Sequence, residues 1–109
     1  MAKPLNFNKV KKQFLTVTFS DEKNTTLMIC TPTKAIMDDL IRLQNGVDEI
    51  TDDEGTDELY DACARVMSRN KTGFKVTKEF LAEIFDIEDI KIFFNAYMEF
   101  VNEVIASKN

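Results

Sequence analysis

The densest group of side chains that could bind a metal ion lies between residues 48 and 61, where eight of fourteen residues are carboxylates. They are Asp48, Glu49, Asp52, Asp53, Glu54, Asp57, Glu58 and Asp61. A calcium loop of the helix-loop-helix type needs an oxygen ligand at its first position and glycine at its sixth. With Gly55 in the sixth position, the first falls on Ile50, which has no side-chain oxygen, although Asp52, Glu54 and Asp61 would fit later positions. The pattern therefore favours a solvated acidic loop that leads into a helix, and we expect no metal site.

Catalytic chemistry is restricted by the absence of histidine, the usual general base and the commonest metal ligand near neutral pH. Nucleophile arrangements of the Ser/His/Asp or Cys/His kind and mixed zinc sites need that residue, and two cysteines are too few for a Cys₄ site. Nothing singles out a catalytic pair from the 19 carboxylates. Cys30 and Cys63 lie in apolar contexts without a CxxC pair, which is typical of reduced core thiols in a cytoplasmic protein. We expect a non-catalytic protein without a cofactor.

A basic run follows the acidic one and contains no acidic residue. Its members are Arg65, Arg69, Lys71, Lys75 and Lys78. Nucleic-acid binding would call for interleaved aromatic residues and a net basic chain, whereas only Phe74 interrupts this run and the net charge is −5. We therefore expect no nucleic acid partner. Three roles stay open for the run: a charged turn, pairing with the acidic residues upstream, or contact with an acidic protein, for which Arg65 and Arg69 are the candidates.

The C-terminal third concentrates more large apolar residues than one helix face can cover. Ile87, Ile90, Phe94, Tyr97, Val101 and Val104 recur at steps of three and four, the spacing of one face of a helix. We expect most of this face to form the core of the domain. Phe93, Phe100 and Ile105 widen the stripe. We nominate these three, with Tyr97 beside them, as candidate contacts to a second copy or to a client helix. Self-association could use either the Phe93/Phe100 flank or the unpaired edge of the β-hairpin predicted below, which offers backbone donors and acceptors.

Length and composition indicate one domain, 1–109, because 109 residues with 44% hydrophobic and 30% charged side chains suit a single globular core. Residues 1–12 should form a flexible basic arm. Alternation in Phe14-Leu-Thr-Val-Thr-Phe19 and a return strand to Cys30 predict a β-hairpin over 13–30. Residues 31–109 should form about four helices, the last of them longest, which makes the fold class α+β. No apolar run is long enough to span a bilayer and no signal peptide begins the sequence, so we expect no membrane partner.

Residues that commonly cap helices predict where each helix begins and ends. Thr31 should cap the first helix, with Pro32 as its first residue and Gly46 beyond its end. Its inner face should contain Ile36, Met37, Leu40, Ile41 and Leu43. Residues 47–55 should form a long loop, and the caps of the three remaining helices should be Thr56, Thr77 and Asp86. The second helix should bury Leu59, Cys63, Val66 and Met67 and end near Ser68, where Asn70 and Gly73 suit a left-handed backbone.

Three segments in this order resemble a specific protein family. They are Cys30-Thr-Pro-Thr-Lys34, Leu59-Tyr-Asp-Ala-Cys-Ala-Arg-Val-Met-Ser-Arg-Asn-Lys71 and Phe93-Phe-Asn-Ala-Tyr-Met-Glu-Phe100. From about residue 12 onward the chain is similar to the small tail assembly chaperones of long-tailed phages and prophages of Gram-positive bacteria. The resemblance implies a cytoplasmic protein, absent from the finished virion, that binds the tape measure protein, keeps it soluble and helps tail-tube subunits polymerise around it. It supplies no site residues.

An alternative of another class fits the same residues. A small adaptor or regulatory protein could dimerise, or bind another protein, through the C-terminal helix without any tape measure client. The two hypotheses differ in their genomic expectation, because only the chaperone predicts a neighbouring gene for a very long coiled-coil protein.

Overall fold

A computed structural model describes residues 4–7, 12–50 and 52–106, and confirms the α+β class: a two-stranded antiparallel hairpin precedes four helices, the last of which is longest. The elements are β1 (Leu15–Thr18), β2 (Thr26–Ile29), α1 (Lys34–Gln44), a 3₁₀ turn (Val47–Glu49), α2 (Asp53–Ser68), α3 (Lys78–Ile84) and α4 (Ile87–Ala106). Most of the predicted flexible arm, residues 1–12, lies outside the described ranges.

The hairpin follows the predicted alternation. Leu15, Val17 and Phe19 turn toward the helices, whereas Thr16 and Thr18 are exposed on the other face. Both strands are shorter than predicted, because the chain leaves the ladder to make a polar turn. In that turn the Asp21 carboxylate accepts hydrogen bonds from the Thr25 N–H at 2.8 Å and the Thr25 hydroxyl at 2.7 Å. Asn24 adopts a left-handed backbone with φ 49°, a conformation that asparagine tolerates better than most residues.

The end of α2 covers the outer edge of β2. The Cys30 N–H donates to the Arg69 carbonyl at 2.7 Å, and the Lys71 N–H donates to the Met28 carbonyl at 3.0 Å. A β-bridge between Ile29 and Asn70 lies between these two bonds. A lone hairpin is marginally stable in water, so this short backbone pairing fastens the hairpin to the helical part of the domain.

One core joins all the elements, with α2 contacting α1, α3, α4 and β2. The largest side chains that are fully buried are Tyr97, Phe19, Phe94, Leu27, Ile29, Leu40, Leu59, Met67, Leu81, Ile90, Val66 and Cys63. The predicted inner face of α2 is confirmed. In α1 the prediction is wrong at Ile41, which is 47% exposed, because the short helix presents only Leu40 fully to α2, with Ile36, Met37 and Leu43 half-buried around it.

Two helix starts differ from the sequence prediction. The first helix begins at Lys34, and its cap is Thr33, whose hydroxyl oxygen accepts from the Ile36 N–H at 3.3 Å. Thr31 belongs instead to the joint after β2, where its carbonyl accepts from the Arg69 guanidinium. The second helix begins at Asp53, one turn before the predicted start, because the Asp52 carboxylate caps the Gly55 N–H at 2.8 Å.

The caps of the last two helices are confirmed. The Thr77 hydroxyl oxygen accepts from the Phe80 N–H at 3.1 Å at the start of α3. At the start of α4 the Asp89 N–H donates to the Asp86 carboxylate at 2.9 Å, while the Asp86 N–H donates to the Asp89 carboxylate at 3.1 Å. This reciprocal pair satisfies two backbone donors and places negative charge at the positive end of the helix dipole.

The prediction of a left-handed backbone at Asn70 is wrong, and the side chain of this residue has a structural role instead. Of the two residues expected at this exit, only Gly73 has a positive φ, 78°. The buried Asn70 amide donates to the carbonyls of Met67 (2.8 Å) and Phe74 (2.6 Å). Its oxygen accepts from the N–H groups of Thr72 (3.2 Å) and Phe74 (3.0 Å) and from the Thr72 hydroxyl (3.0 Å). One side chain thus organises the turn that follows α2.

We expect Asn70→Ala to lower the free energy of unfolding by about 2–3 kcal/mol, because it leaves several backbone groups of this turn without partners. Urea unfolding followed by circular dichroism measures the change. Asn95→Ala is the matched control: Asn95 is exposed on α4, and its loss should change stability by less than about 0.5 kcal/mol. Equal stability of the Asn70 variant and the wild type would contradict the role of this side chain.

Candidate protein-binding surfaces

Three of the four aromatic and aliphatic residues nominated on the last helix are part of the chain's own core. Phe93 is 6% exposed, Tyr97 1% and Phe100 9%, whereas Ile105 is 63% exposed. The expectation that Phe93 and Phe100 flank the core is therefore corrected, because neighbouring elements cover both sides of the α4 stripe. A charged substitution at Phe100 would act on folding, so it is a poor probe of binding.

Tyr97 connects α4 to the joint between β2 and α1. Its hydroxyl donates to the Cys30 carbonyl at 2.7 Å, and its ring lies 5.9 Å from the rings of both Phe93 and Phe100, measured between centroids. Stacked and tilted aromatic pairs at this distance add to the stability from burial alone. Tyr97 thus ties the residue that follows β2 to the last helix, and its ring packs against Phe93 and Phe100 within that helix.

Arg69 fastens the same joint from the other side. Its Nε donates to the Thr31 carbonyl at 3.1 Å, and its own carbonyl accepts from the Cys30 N–H. The side chain is half-buried. In this position Arg69 supports the fold directly, and its nomination as a contact for an acidic partner stays a prediction.

Arg65 lies at the surface between two carboxylates. Its guanidinium is 3.0 Å from Asp39 on α1 and 3.5 Å from Asp61 on α2. Lys78 likewise pairs with Asp57 at 3.0 Å. Two pairs therefore join the acidic and basic runs within the chain, one of the alternatives that the sequence left open. A groove of about 680 Å³ beside them has Arg65, Lys78 and Glu79 in its wall, so its charge is mixed.

An apolar groove lies where the beginning of α1 meets the end of α4. We call it the α1–α4 groove; it encloses about 310 Å³ and is lined by Thr31, Pro32, Thr33, Lys34, Met37, Asp38, Val101, Val104 and Ile105. The apolar stripe of α4 leaves the core here, passing from buried Val101 through half-buried Val104 to exposed Ile105. Half-buried Met37 forms the opposite wall with a flexible side chain. Of the six nominated residues, Ile105 is the one on an open apolar surface.

A second apolar groove lies beside the hairpin and was missed by the sequence analysis. This β1–α4 groove encloses about 360 Å³, and its lining includes Leu15 and Val17 from β1 and Ile92, Phe93 and Ala96 from α4. Ile92 is 65% exposed. The available signal was an isoleucine on the polar face of an otherwise amphipathic helix, two positions after Ile90.

Both cysteines are free thiols; Cys63 is buried in α2, as predicted for a core thiol, whereas Cys30 is only half-buried. Burial raises the pKa of its thiol far above the ordinary value of 9.0. Burial likewise raises the pKa of the Tyr97 hydroxyl above 10.0. Neither group ionises near neutral pH, and a thiol in this state is a poor nucleophile.

No helix in the described part of the chain combines the length and apolar character that crossing a bilayer requires. No protein-family model, curated protein or solved structure matches the chain. The candidate surfaces are therefore judged on their own residues.

The raised pKa of Cys63 predicts a loss of stability at alkaline pH. The unfolded chain releases the thiol proton near pH 9.0, whereas the folded chain retains it, so ionisation favours unfolding as the pH rises. Above that pH the free energy of unfolding should fall by about 1.4 kcal/mol per pH unit from this group. Tyr97 adds to the fall above pH 10.0 for the same reason.

Urea unfolding between pH 8 and pH 10 measures this slope. Cys63→Ala should be less stable at pH 8 because it leaves a cavity, yet its stability should fall less steeply with pH. Cys30→Ala is the control, since it keeps the Cys63 thiol and with it the slope. Parallel profiles for the wild type and Cys63→Ala would show that Cys63 does not cause the loss.

Proposed function

We propose that this protein is a tail assembly chaperone that binds a tape measure protein through the α1–α4 groove and keeps that long helical chain soluble. It acts in the cytoplasm of the bacterial host, helps tail-tube subunits assemble around the client and is absent from the finished virion. The proposal rests on the resemblance of the three sequence segments and on the open apolar end of α4.

The observation that carries the binding role is the exit of the α4 stripe from the core. A helix of 20 residues is about 30 Å long, and the chain's own core covers its apolar face fully as far as Val101 and only in part at Val104. Beyond this point Val104 and Ile105 face Pro32 and Met37 across the groove. Apolar surface left open between two helices favours a partner that brings its own apolar side chains.

A helical client fits this groove in shape and chemistry. An amphipathic helix presents apolar side chains at i, i+3, i+4 and i+7, which form a ridge that enters a groove between two helices. Met37 can change rotamer to accept different side chains along a repetitive client. At the rim Lys34 pairs with Asp38 at 2.9 Å, with both side chains largely exposed, so the apolar floor has a polar border as interfaces commonly do.

The charge of the chain suits a protein that holds an aggregation-prone partner. A formal charge of −5 on 109 residues gives repulsion between complexes and favours their solubility. The proposed role needs no reacting group, which agrees with a buried thiol of raised pKa in the middle of α2.

Co-expression with the tape measure protein of the same genome tests the proposal. We expect the client to be insoluble alone, and soluble and co-purifying with this chain. Ile105→Glu should lower client recovery at least about tenfold, because it places a charge in the apolar groove. Binding should persist at moderate salt, since screening acts mainly on exposed charges.

Ile41→Glu is the matched control. Ile41 is an exposed isoleucine on α1 that lines none of the grooves described above, so its replacement should leave client recovery unchanged. Equal recovery with Ile105→Glu and the wild type would move the contact away from the α1–α4 groove. A client that stays insoluble with the wild type, or a genome without a very long coiled-coil protein, would favour the adaptor hypothesis.

A further inference from the structure

The outer edge of β1 presents hydrogen-bonding groups that the hairpin does not use. Strand residues point their backbone groups alternately to the two sides, and the Phe19 N–H donates to the Thr25 carbonyl at 2.8 Å. In the observed register, the N–H and C=O groups of Leu15 and Val17 therefore point toward β2, as those of Phe19 do. The N–H and C=O of Thr16 and Thr18 therefore point away from β2. In the described parts of the chain β2 is the only strand that pairs with β1.

Among the residues that the structure describes, this edge lacks the features that usually prevent strand pairing. Exposed edges are commonly protected by lysine, proline or a bulge, or by a covering segment. Residues 69–71 cover the corresponding edge of β2, as described above. The segment from Phe14 to Phe19, in contrast, contains neither a charge nor a proline, and its ladder with β2 is regular. It is suited to receiving another strand.

The β1–α4 groove extends this edge with apolar surface. A strand added beside β1 would lie about 4.8 Å away, and alternate side chains would point to the same face as Leu15 and Val17. On that face Ile92 is largely exposed, and the small side chain of Ala96 leaves space next to it. An added strand therefore finds both backbone partners and an apolar contact.

We propose that the added strand is β1 of a second copy of this chain, so that two hairpins form one four-stranded antiparallel sheet. The two-fold axis passes through Val17. Thr16 of each copy pairs with Thr18 of the other, which forms four backbone hydrogen bonds, and the two Val17 residues face each other. The edge is self-complementary, because its uncharged residues and its two outward-pointing threonines are symmetric about Val17.

Charges at the ends of the strand select a second copy over an unrelated peptide. In this antiparallel arrangement Lys12, which precedes β1 of one copy, lies toward the hairpin turn of the other copy, which contains Glu22, and symmetry repeats this contact. Both side chains are exposed in the single chain. Two copies with a charge of −5 each repel one another, so their contact requires an uncharged surface with opposite charges at its ends, as this edge provides.

A cysteine at the proposed two-fold axis tests the register directly. Facing residues of a non-hydrogen-bonded antiparallel pair have Cα atoms about 4.5 Å apart, within the range of a disulfide. Val17→Cys should therefore give a covalent dimer under mild oxidation, visible on a non-reducing gel. Thr26→Cys, exposed on β2, and the wild type with its own two cysteines are the controls and should stay unlinked. An unlinked Val17→Cys chain that folds normally would overturn the register.

Backbone and charge variants provide a second, independent test by sedimentation. Thr16→Pro removes an N–H that points away from β2, so the hairpin keeps its ladder while the dimer dissociation constant rises at least about tenfold. Thr16→Val retains the N–H and should leave the constant unchanged. Lys12→Glu or Glu22→Lys alone should weaken the dimer about fivefold, and the double exchange should restore it.

A wild-type chain that is monomeric at micromolar concentrations would overturn the proposal, as would a Thr16→Pro dimer of unchanged affinity. The dimer does not rest on the proposed function, and the two can fail separately. Ile92→Glu should dissociate the dimer, whereas Ile105→Glu should lower client recovery and leave the dimer intact. Circular dichroism of each variant confirms that it is folded.

Discussion

The structure depends on how its two-stranded hairpin is fastened, because two strands alone do not form a stable unit. Three hydrogen bonds meet at Cys30 and Thr31: the Cys30 N–H bonds to the Arg69 carbonyl, the Cys30 carbonyl to the Tyr97 hydroxyl, and the Thr31 carbonyl to the Arg69 guanidinium. The end of α2 and the middle of α4 thus hold one joint. Since β2 uses its outer edge in this attachment, the edge of the sheet that is left without a paired strand, within the described ranges, is that of β1.

The same joint explains why α4 has open surface near both ends and core between them. The buried residues between Phe93 and Val101 belong to the core that α4 shares with α2, and Tyr97 among them bonds to the joint. Toward the N-terminus the helix extends past the edge of β1, which leaves Ile92 in a groove. Toward the C-terminus it extends past the start of α1, which leaves Ile105 in another. The apolar residues of α4 that the core does not cover therefore lie in two separate grooves.

Signals confined to a few neighbouring residues predicted the fold well. Alternation gave the hairpin, and the Thr77 and Asp86 caps gave two helix starts correctly. The errors concern the choice between two nearby residues that can both cap a helix. Asp52, and not Thr56, caps α2, because the packing of the turn decides between two residue types that are both good caps. The burial of Phe93 and Phe100 could not be predicted, because periodicity gives the angle around a helix but not which neighbours cover it. The β1–α4 groove depends on strand and helix placement together.

The separation of the two grooves has a consequence for a long, repetitive client. A groove of about 310 Å³ that accepts a few side chains gives weak binding by itself. In the proposed dimer two such grooves are held at a fixed spacing, so the second contact along the same client becomes intramolecular. The strength of this second contact then follows from the effective concentration that the spacing sets. The overall affinity of two grooves can exceed that of one groove by about 10²–10⁴-fold without any new contact. Weak individual contacts would also suit the proposed chaperone role, because tube subunits could displace them one at a time during assembly. In this arrangement dimerisation through the edge of β1 determines the affinity for the client, while the end of α4 determines which client binds.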